Sequence, residues 1–529
     1  MVAHLLHVTL LLGVLASQLD AYKIAVFTRD MANSHVIWHK RVSEALAKAG
    51  HNVTMIKLVG FHWSKKQQIP IDPSVTVWNV GNGSAVTSEY GRIHSEMAFT
   101  DSTIFGNTMR HFMNHMMKNM QDNCEQLITN KPFLEQLKAE KFDVAFVQMF
   151  EACPIGLVHH ARIPAWIWLN AGQLLDNIAN VMGVPQPASY VPAMMFDMKD
   201  EMTFMERAQN LVVGSLMSPF WKWRAIDPIT RLYRKHIDPN FPDIAALGAE
   251  CSLVMVNSNE MYEIPRPTLH KIVNIGGLGM EKKDAKELTG DFKRIVDGAE
   301  NVVLFSFGSI ANASAMPESW KRAFMTVFSR FPDHEFILRY VDHDMDAFKP
   351  PNVHLFKWIP QSDLLQHPKT RAMISHGGYN SLQETINAGK PIVTIPLFAD
   401  QKRNGRLAEK HGIGYYLHKA TLTEETLQKA VETILRHPSY AVKARRMQQM
   451  VEKKPIKADE LLVKWTEFLA EFQLLPNLVP YGTKLSFIIY HNLDVLAALA
   501  GILISVIFIP VLLLRCLCCR QRPRKLKIN

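Results

Sequence analysis

The chain has 529 residues, of which 48% are hydrophobic and 20% are charged, and its formal net charge is +10 at pH 7. This length is too great for one ordinary core and predicts about two to four domains. Six of the positive charges, and no acid, lie in the last fifteen residues, which leaves +4 on the other 514. The basic balance therefore does not indicate a nucleic-acid-binding face, and we expect no nucleic-acid partner.

An apolar run near the amino terminus, Val8 to Leu15, is followed by small and polar residues. This pattern is typical of a secretory signal peptide, which we assign to residues 1–21. A buried amino-terminal helix is the alternative interpretation.

A second apolar run, residues 495–514, is twenty residues long. At ~1.5 Å per residue it spans ~30 Å, the hydrocarbon thickness of a bilayer, and it predicts one transmembrane helix. The basic tail, residues 515–529, is cytosolic by the positive-inside rule, so the chain is a single-pass type I protein with its domains in the lumen. Lys525 and Lys527 resemble a dilysine retrieval signal, which predicts the endoplasmic reticulum membrane. The alternative is that these lysines only set the topology.

Cysteines do not indicate a disulfide scaffold. Only Cys124, Cys153 and Cys251 precede the span, and an odd number leaves at least one of them unpaired or intermolecular. Glycosylation sequons begin at Asn52, Asn82 and Asn312.

Short β-branched and aromatic runs alternate with helical periods from Tyr22 onward, as in YKIAVFT, RDMANSH and the helical pattern from Val36. The alternation restarts at Asn301–Ser309, and a link rich in proline and glycine, residues 265–279, lies between the two series. This pattern predicts an α/β protein with two doubly wound domains that face each other across a cleft. We place the domains at 22–270 and 271–475.

No metal site is predicted. His111 and His115 have the i, i+4 spacing of metal ligands, but no carboxylate or third ligand accompanies them. A place in the core or in a pocket wall is the better interpretation.

In the second domain, the stretch ISHGGYNSLQET takes the chain from a strand through His376-Gly377-Gly378 into a helix that begins near Asn380 or Ser381. Free N–H groups at a helix start, and glycines that permit close approach, predict an anion site. Such a turn alone is weak evidence, because many α/β turns bind nothing.

The surrounding segment makes the prediction specific. The 47 residues from Trp358 to Asn404, WIPQSDLLQHPKTRAMISHGGYNSLQETINAGKPIVTIPLFADQKRN, closely resemble the signature of UDP-glycosyltransferases, in particular animal UDP-glucuronosyltransferases. The resemblance implies a GT-B fold of two Rossmann-like domains, the first binding the acceptor and the second the UDP-sugar. It also implies inverting transfer of a sugar to a hydroxyl or amine of a small lipophilic acceptor. No cofactor and no metal are implied, because the UDP-sugar is a co-substrate.

The resemblance assigns roles to residues of the second domain. Trp358 would stack on uracil, Gln361 would lie beside the base and ribose, and Glu384 would accept from the ribose hydroxyls. The diphosphate would be held by a group of residues around the glycine turn: Ser309, His376, Gly378, Asn380 and Ser381. Asp400 and Gln401 would take the sugar hydroxyls.

The resemblance also implies a catalytic base, His35, in the loop after the first strand. His39, one helical turn later, is a second histidine that could be mistaken for the base. At the position of the base's usual acidic partner this chain has Gln148, which holds a tautomer but supplies no charge. Glu151 is the alternative partner, whereas Asp143 is expected at the strand's far end.

Several alternatives stay open. The donor is glucuronate or glucose, and Lys402 and Arg403 either meet a glucuronate carboxylate or face solvent. A lipophilic acceptor fits the side chains of Met109, Phe112, Met113 and Met116, which are equally typical of a core. Because Gln148 replaces the usual acid, a second hypothesis remains: a membrane-anchored UDP-sugar binder with little or no catalysis. The sequence does not decide whether the chain forms a homo- or hetero-oligomer. A glycan at Asn312 would crowd the phosphate loop, so Asn52 and Asn82 are the better glycosylation candidates.

Overall fold

The computed structural model describes residues 21–30, 32–59, 69–81, 97–100 and 106–520. The predicted signal peptide up to residue 20, the sequon at Asn82 and the tail from residue 521 lie outside the described residues. The chain forms two compact units, Met1–Leu478 and Val479–Asn529.

The first half of the larger unit is a seven-stranded parallel sheet with the strand order β3-β2-β1-β4-β5-β6-β7. Its strands are β1 Lys23–Arg29, β2 Asn52–Leu58, β3 Thr76–Val80, β4 Val144–Gln148, β5 Ala165–Asn170, β6 Leu253–Val256 and β7 Ile272–Asn274. Strands β4 and β5 are buried along their whole length. Continuous apolar runs of this kind are what helices on both faces of a parallel sheet require.

The helices of this half follow β1, β3, β4 and β5. They are α1 Asn33–Lys48, α2 Asn107–Thr129, α3 Lys131–Ala139, α4 Cys153–Ala161, α5 Asp176–Val181, α6 Phe204–Trp221, α7 Asp227–His236 and α8 Ile244–Ala249. A π-helical turn, Lys222–Ile226, joins α6 to α7.

The second half is a six-stranded parallel sheet with the order β10-β9-β8-β11-β12-β13. Its strands are β8 Asn301–Ser306, β9 His334–Arg339, β10 Val353–Phe356, β11 Thr370–Ser375, β12 Ile392–Thr394 and β13 Gly414–Tyr416. Its helices are α9 Gly290–Gly298, α10 Glu318–Ser329, α11 Gln361–Gln366, α12 Tyr379–Asn387, α13 Gln401–Lys410, α14 Glu424–Arg436, α15 Pro438–Glu452 and α16 Ala458–Phe472. The predicted α/β class with two doubly wound sheets is confirmed.

The division between the halves differs from the predicted boundary at residues 270 and 271. Strand β7 pairs with β6, Val254 opposite Ile272, so the first sheet ends at Asn274. Helix α16 also returns to the first half, where Leu462 and Leu469 are fully buried in its core. A three-residue strand between proline and glycine carries too little pattern to be recognised, and an amphipathic helix does not indicate which sheet it covers.

A disulfide joins Cys124 in α2 to Cys153 at the start of α4, and Cys251 is a buried free thiol. The odd number of cysteines before the span therefore resolves into one bridge and one unpaired residue. Next to the bridge, the Tyr233 hydroxyl donates to the carbonyl of Cys153 at 2.8 Å, and its ring packs on Gly156.

The smaller unit contains a short helix, α17 Phe487–Tyr490, and a long one, α18 Leu493–Arg520. Residues Leu493–Leu517 have a mean hydropathy of 2.8 and are long and apolar enough to cross a membrane. This segment is slightly longer than the predicted 495–514.

We predict that Gly156→Ala lowers the free energy of unfolding by about 1–3 kcal/mol, because core overpacking has that effect. A Cβ at this position would lie 2.3 Å from the fully buried ring of Tyr233, which is itself fixed by its hydrogen bond. Denaturant unfolding of the full chain measures the change. Gly214→Ala in α6 is the matched control, since its Cβ would meet nothing within 4 Å. Equal stability of the two variants would contradict the packing argument.

Candidate active site

The glycine turn between β11 and α12 leaves a helix start without a side-chain cap. Gly378 occupies the N-cap position, and no side chain accepts from the first peptide N–H groups of α12 within the described chain. Gly377 has φ +78°, a conformation that favours glycine. The N–H groups and the positive end of the helix dipole therefore form an anion site at the carboxyl end of a central strand.

Two glycines leave room for the His376 ring in this turn. A Cβ at Gly308 or at Gly378 would lie 2.6 Å from the imidazole, so both positions require glycine. The pKa of His376 is lowered to about 4, mainly by burial and in part by the charge of Arg339, against a hydrogen bond with the backbone of Ser306 that raises it. The ring is therefore neutral at physiological pH and offers a hydrogen bond, not a charge, to an anion. Ser309 lies nearby in the loop after β8, partly buried.

Trp358 lies beyond the end of β10 with 39% of its surface exposed. The Arg339 guanidinium is 5.4 Å from its ring centroid, and Arg339 also donates to the carbonyl of Gly308. Arg339 thus links the aromatic platform to the loop beside His376. The sequence analysis missed Arg339, although its place as the last residue of a parallel strand is the signal that would have found it.

Gln361 and Glu384 lie together, as their assigned roles require. The Gln361 amide donates to Glu384 Oε2 at 2.7 Å and to Ser381 Oγ at 3.1 Å. Arg41 of α1 reaches the other carboxylate oxygen, Oε1, at 3.4 Å. The carboxylate expected at the ribose therefore also connects the two halves, which no spacing in the sequence indicates.

Asn380 forms a second connection between the halves. Its Oδ1 accepts from Asn257 at 2.9 Å, and its Nδ2 donates to the carbonyl of Ser34 at 3.4 Å. Asn257 directly follows β6 and also donates to the carbonyl of Ala171 at 3.1 Å. The helix that carries the anion site is thus in contact with the residue just before His35.

Asp400 and Gln401 lie at the start of α13. Burial raises the pKa of Asp400, and Asn404 donates to its Oδ2 at 2.8 Å. The Gln401 Oε1 accepts from the backbone N–H groups of Leu397 and Phe398, at 2.9 and 3.0 Å. Gln401 therefore has only its amide N–H groups left for a ligand, because its oxygen shapes the preceding loop.

Arg403 does not face solvent. It is 4% exposed and forms an ion pair at 2.7 Å with Glu263, in the loop between β6 and β7 of the first half. The hydroxyl of Tyr379 donates to the other oxygen of Glu263 at 3.0 Å. Of the two alternatives for Arg403, the solvent-facing one is therefore wrong, and its pairing with Glu263 occupies the guanidinium. Lys402 is partly buried.

His35 was expected at the end of the loop after β1. It lies instead in the first turn of α1, which begins two residues before it, at Asn33. Its ring is half-buried and stacks on Phe150, with centroids 5.1 Å apart. Burial lowers the pKa of His35 to about 3, with further contributions from His39 and Arg29. His39 is fully buried, and its Nδ1–H donates to the carbonyl of His35 at 2.7 Å, which identifies a structural role for His39.

Gln148 is the last residue of β4 and is 1% exposed. Its Nε2 and the Nδ1 of His35 are both buried without a hydrogen-bond partner among the described residues. Glu151 instead forms a buried ion pair with Arg29. Asp143 lies at the opposite end of the strand, where it accepts from the backbone of Lys23 at 2.7 Å. Of the two predicted partners of His35, Glu151 is thus engaged by Arg29, whereas Gln148 is not engaged by another side chain among the described residues.

An apolar cavity of about 30 Å³ lies next to the stacked pair of His35 and Phe150. Its wall includes Met120, Met149, Phe150, Trp168, Trp221 and Ile226. The methionines and phenylalanine proposed from the sequence, Met109, Phe112, Met113 and Met116, are not in that wall, although Met120 of the same helix is. At this volume the cavity holds about one water molecule, so an acceptor ring requires side chains to move.

No cluster of three or more histidine, cysteine, aspartate or glutamate side chains with the geometry of a metal site occurs in the part of the chain that the structure describes. His111 and His115 contact each other in α2, with ring centroids 4.5 Å apart, and both are exposed, so the expected place in the core is wrong.

Comparison with known proteins agrees with this geometry. The family described as "UDP-glucoronosyl and UDP-glucosyl transferase" matches residues 23–527. The chain is 30% identical over 498 residues to the putative UDP-glucuronosyltransferase ugt-48 of Caenorhabditis elegans, which covers 91% of this chain and 92% of that protein. It is 30% identical over 392 residues to UDP-glucuronosyltransferase 1A7 of Mus musculus, covering 73% and 71%.

The fold is similar to that of a solved glycosyltransferase, that of kitacinnamycin, with a TM-score of 0.57 and 18% identity over 86% of this chain and 99% of that one. This similarity confirms the GT-B arrangement. The chain belongs to the UDP-glucoronosyl and UDP-glucosyl transferase family and is a glycosyltransferase that moves a sugar from a UDP-sugar to an acceptor.

Proposed function

We propose that this enzyme transfers glucuronate from UDP-glucuronate to a hydroxyl or amine of a small lipophilic acceptor, with His35 as the base. The observation that carries the proposal is the contact between Asn380 and the carbonyl of Ser34. It holds the first turn of α1, and with it His35, against the helix whose start forms the anion site. An acceptor beside His35 would therefore lie close to the sugar of a donor bound at that helix.

The donor site follows from the groups already described. Uracil stacks on the exposed face of Trp358, and the ribose hydroxyls donate to Glu384, which Gln361 holds in place. The diphosphate lies on the N–H groups of Asn380 and Ser381, next to His376 and Ser309. Asp400 and the amide N–H groups of Gln401 face the sugar. We propose that the helix dipole and hydrogen bonds stabilise the diphosphate without a metal or cofactor.

The reaction is a single displacement. The acceptor oxygen or nitrogen attacks the anomeric carbon, its proton passes to His35, and the bond from that carbon to the diphosphate breaks with inversion. UDP leaves with the electron pair of the broken bond, and the N–H groups at the start of α12 stabilise its added charge.

The base works without a charged partner. Burial lowers the pKa of His35 to about 3, and Gln148 cannot stabilise the imidazolium that forms. This observation favours a second candidate function, a UDP-sugar-binding protein with impaired catalysis. The donor has its own alternative, glucose, since the buried pair of Arg403 and Glu263 leaves only Lys402 for a sugar carboxylate. The relatives from C. elegans and M. musculus carry the name glucuronosyltransferase, which supports glucuronate.

We propose that the chain is a type I protein of the endoplasmic reticulum membrane, with the larger unit in the lumen. The disulfide between Cys124 and Cys153 supports an oxidising compartment, and Leu493–Leu517 supplies a helix of spanning length. Asn52 is exposed at the start of β2 and suits glycosylation, whereas the Asn312 side chain accepts from the N–H and hydroxyl of Ser314.

We predict that His35→Ala lowers kcat by about 10²–10⁴-fold, the range for loss of a general base, while UDP binding is unchanged. Gln148→Asp should raise kcat, since a carboxylate stabilises the imidazolium. UDP release from UDP-glucuronate with a mixture of lipophilic phenols measures both. His111→Ala is the control, because this histidine is exposed on α2. Tight UDP binding with no turnover, restored by Gln148→Asp, would support the binder instead.

The pH dependence of kcat/KM gives a separate prediction. Because the pKa of His35 is lowered to about 3, the ring stays neutral as the pH falls, and we expect no acid limb from it between about pH 8 and about pH 5. In Gln148→Asp the new charge raises that pKa, so an acid limb should move to higher pH. A wild-type limb near pH ~6.5, the value of a solvated imidazole, would show that His35 is not the buried base.

We predict that Trp358→Ala weakens UDP binding by about 5- to 150-fold, since stacking of a base on an aromatic ring contributes about 1–3 kcal/mol. Calorimetric titration with UDP measures the change, and Phe468→Ala, also exposed, is the control. Competition between UDP-glucuronate and UDP-glucose in the same assay tests the donor. Preference for UDP-glucose would contradict glucuronate as the donor but not the uracil platform.

A further inference from the structure

A buried cation lies at the end of the first sheet where the acceptor is expected. Arg29 is the last residue of β1 and is 5% exposed, and it forms an ion pair with Glu151 in the loop after β4. Its Nη2 donates to Oδ1 of Asn119 in α2 at 3.0 Å. Glu151 lies in the wall of the cavity beside His35 and, together with Arg29, in the wall of a second cavity of about 10 Å³. An acceptor in this region would therefore lie close to the guanidinium.

The charge of Arg29 acts on the place where a nucleophile would give up its proton. After burial and His39, it is the third cause that lowers the pKa of His35. Asp30, the neighbouring acid, lies 3.6 Å from the Nζ of Lys57 in β2, so a cation already offsets its charge. A cation that disfavours an imidazolium at this place stabilises an anion there by the same interaction.

Arg29 and Gln148 also carry buried N–H groups that lack an acceptor. The Nε of Arg29 and the Nε2 of Gln148 have no hydrogen-bond partner among the described residues. Strands β1 and β4 are parallel neighbours, with Val26 opposite Phe146, so both side chains lie at the same edge of the sheet. Buried donors without an acceptor are costly and indicate a group that completes them. An oxyanion is such a group, and it would be repelled by an aspartate at the position of Gln148.

We propose that Arg29 and Gln148 make this enzyme select acceptors whose attacking group is already an oxyanion, a carboxylate or a phenolate, over neutral alcohols. A carboxylate oxygen attacks the anomeric carbon and forms a glycosyl ester, the bond from that carbon to the diphosphate breaks, and UDP leaves with its electron pair. No proton has to be removed, so the reaction does not require an imidazolium at His35. The proposal rests on the proposed transfer reaction but not on which sugar is transferred.

The test compares two acceptors of similar shape, 4-ethylbenzoate and 4-ethylbenzyl alcohol, with the full chain near neutral pH and with UDP-glucuronate and UDP-glucose in separate reactions. We expect the kcat/KM of the wild type to be about tenfold or more higher for the benzoate. Gln148→Asp should reverse this preference, because a carboxylate there repels the benzoate and stabilises the imidazolium that the alcohol requires.

Two further variants separate the cation from the acid beside it. Glu151→Gln keeps Arg29 and removes its acid, so the preference for the benzoate should increase. Arg29→Gln/Glu151→Gln removes both charges without leaving either one buried alone, and the preference should decrease about tenfold. The matched control is Lys321→Gln, because Lys321 is a buried cation paired with Asp344 in the second half. Its ratio of kcat/KM values should equal that of the wild type.

Circular dichroism and titration with UDP establish that each variant is folded. A wild type that uses the alcohol as efficiently as the benzoate would overturn the inference alone, as would a ratio that Gln148→Asp and Arg29→Gln/Glu151→Gln leave unchanged. Calorimetric titration of the UDP-saturated chain with the benzoate measures acceptor binding apart from turnover. Binding that the double variant weakens, without transfer to either acceptor, would support the anion site and contradict the proposed function. Absence of both binding and transfer of the benzoate would overturn the inference.

Discussion

The uncapped start of α12 is the feature around which the described site is arranged. Its peptide N–H groups cannot be satisfied inside the helix, and the N-cap residue Gly378 has no side chain to satisfy them. The glycines on either side of His376 keep the imidazole beside these groups and leave the backbone open to a phosphate. An anion would complete the hydrogen bonding of this helix, and in the proposed function the neighbouring Trp358 and Glu384 determine which anion fits.

The same helix also connects the two halves of the molecule. Asn380 in its first turn contacts the backbone before His35, and Glu384 one turn later contacts Arg41 in the helix of the base. Tyr379 adds a contact to Glu263 in the β6–β7 loop of the first sheet. Groups assigned to the nucleotide thus also determine where the base lies. A substitution among them is expected to change donor binding and base position together, so the two effects are separable only by measuring binding and turnover independently.

Much of this site was predictable because its residues follow one another along a single segment. The order from Trp358 to Gln401 is local in sequence, and parallel strands bring its loops to one edge of the sheet. The contacts that were not predicted join residues far apart in the chain, as Arg41 and Glu384 or Glu263 and Arg403 do. The sequence also did not predict strand β7 or the return of α16 to the first sheet, for a related reason. Apolar periodicity shows that an element is covered, but it does not identify the surface that covers it.

The environment of His35, the proposed base, has two opposite consequences for that role. A low pKa keeps the ring neutral and able to accept a proton, yet the same burial disfavours the imidazolium in the transition state. In a His–carboxylate pair the acid offsets that second effect, whereas Gln148 offers only a dipole. The amide nitrogen of Gln148 and the Nδ1 of His35 are both buried without a hydrogen-bond partner among the residues that the structure describes. Arg29 makes the environment more positive, although its ion pair with Glu151 partly offsets this. With His35 as the proposed base, catalysis would depend more on the alignment of donor and acceptor than on the strength of that base, and the contacts of α12 with α1 would provide the alignment.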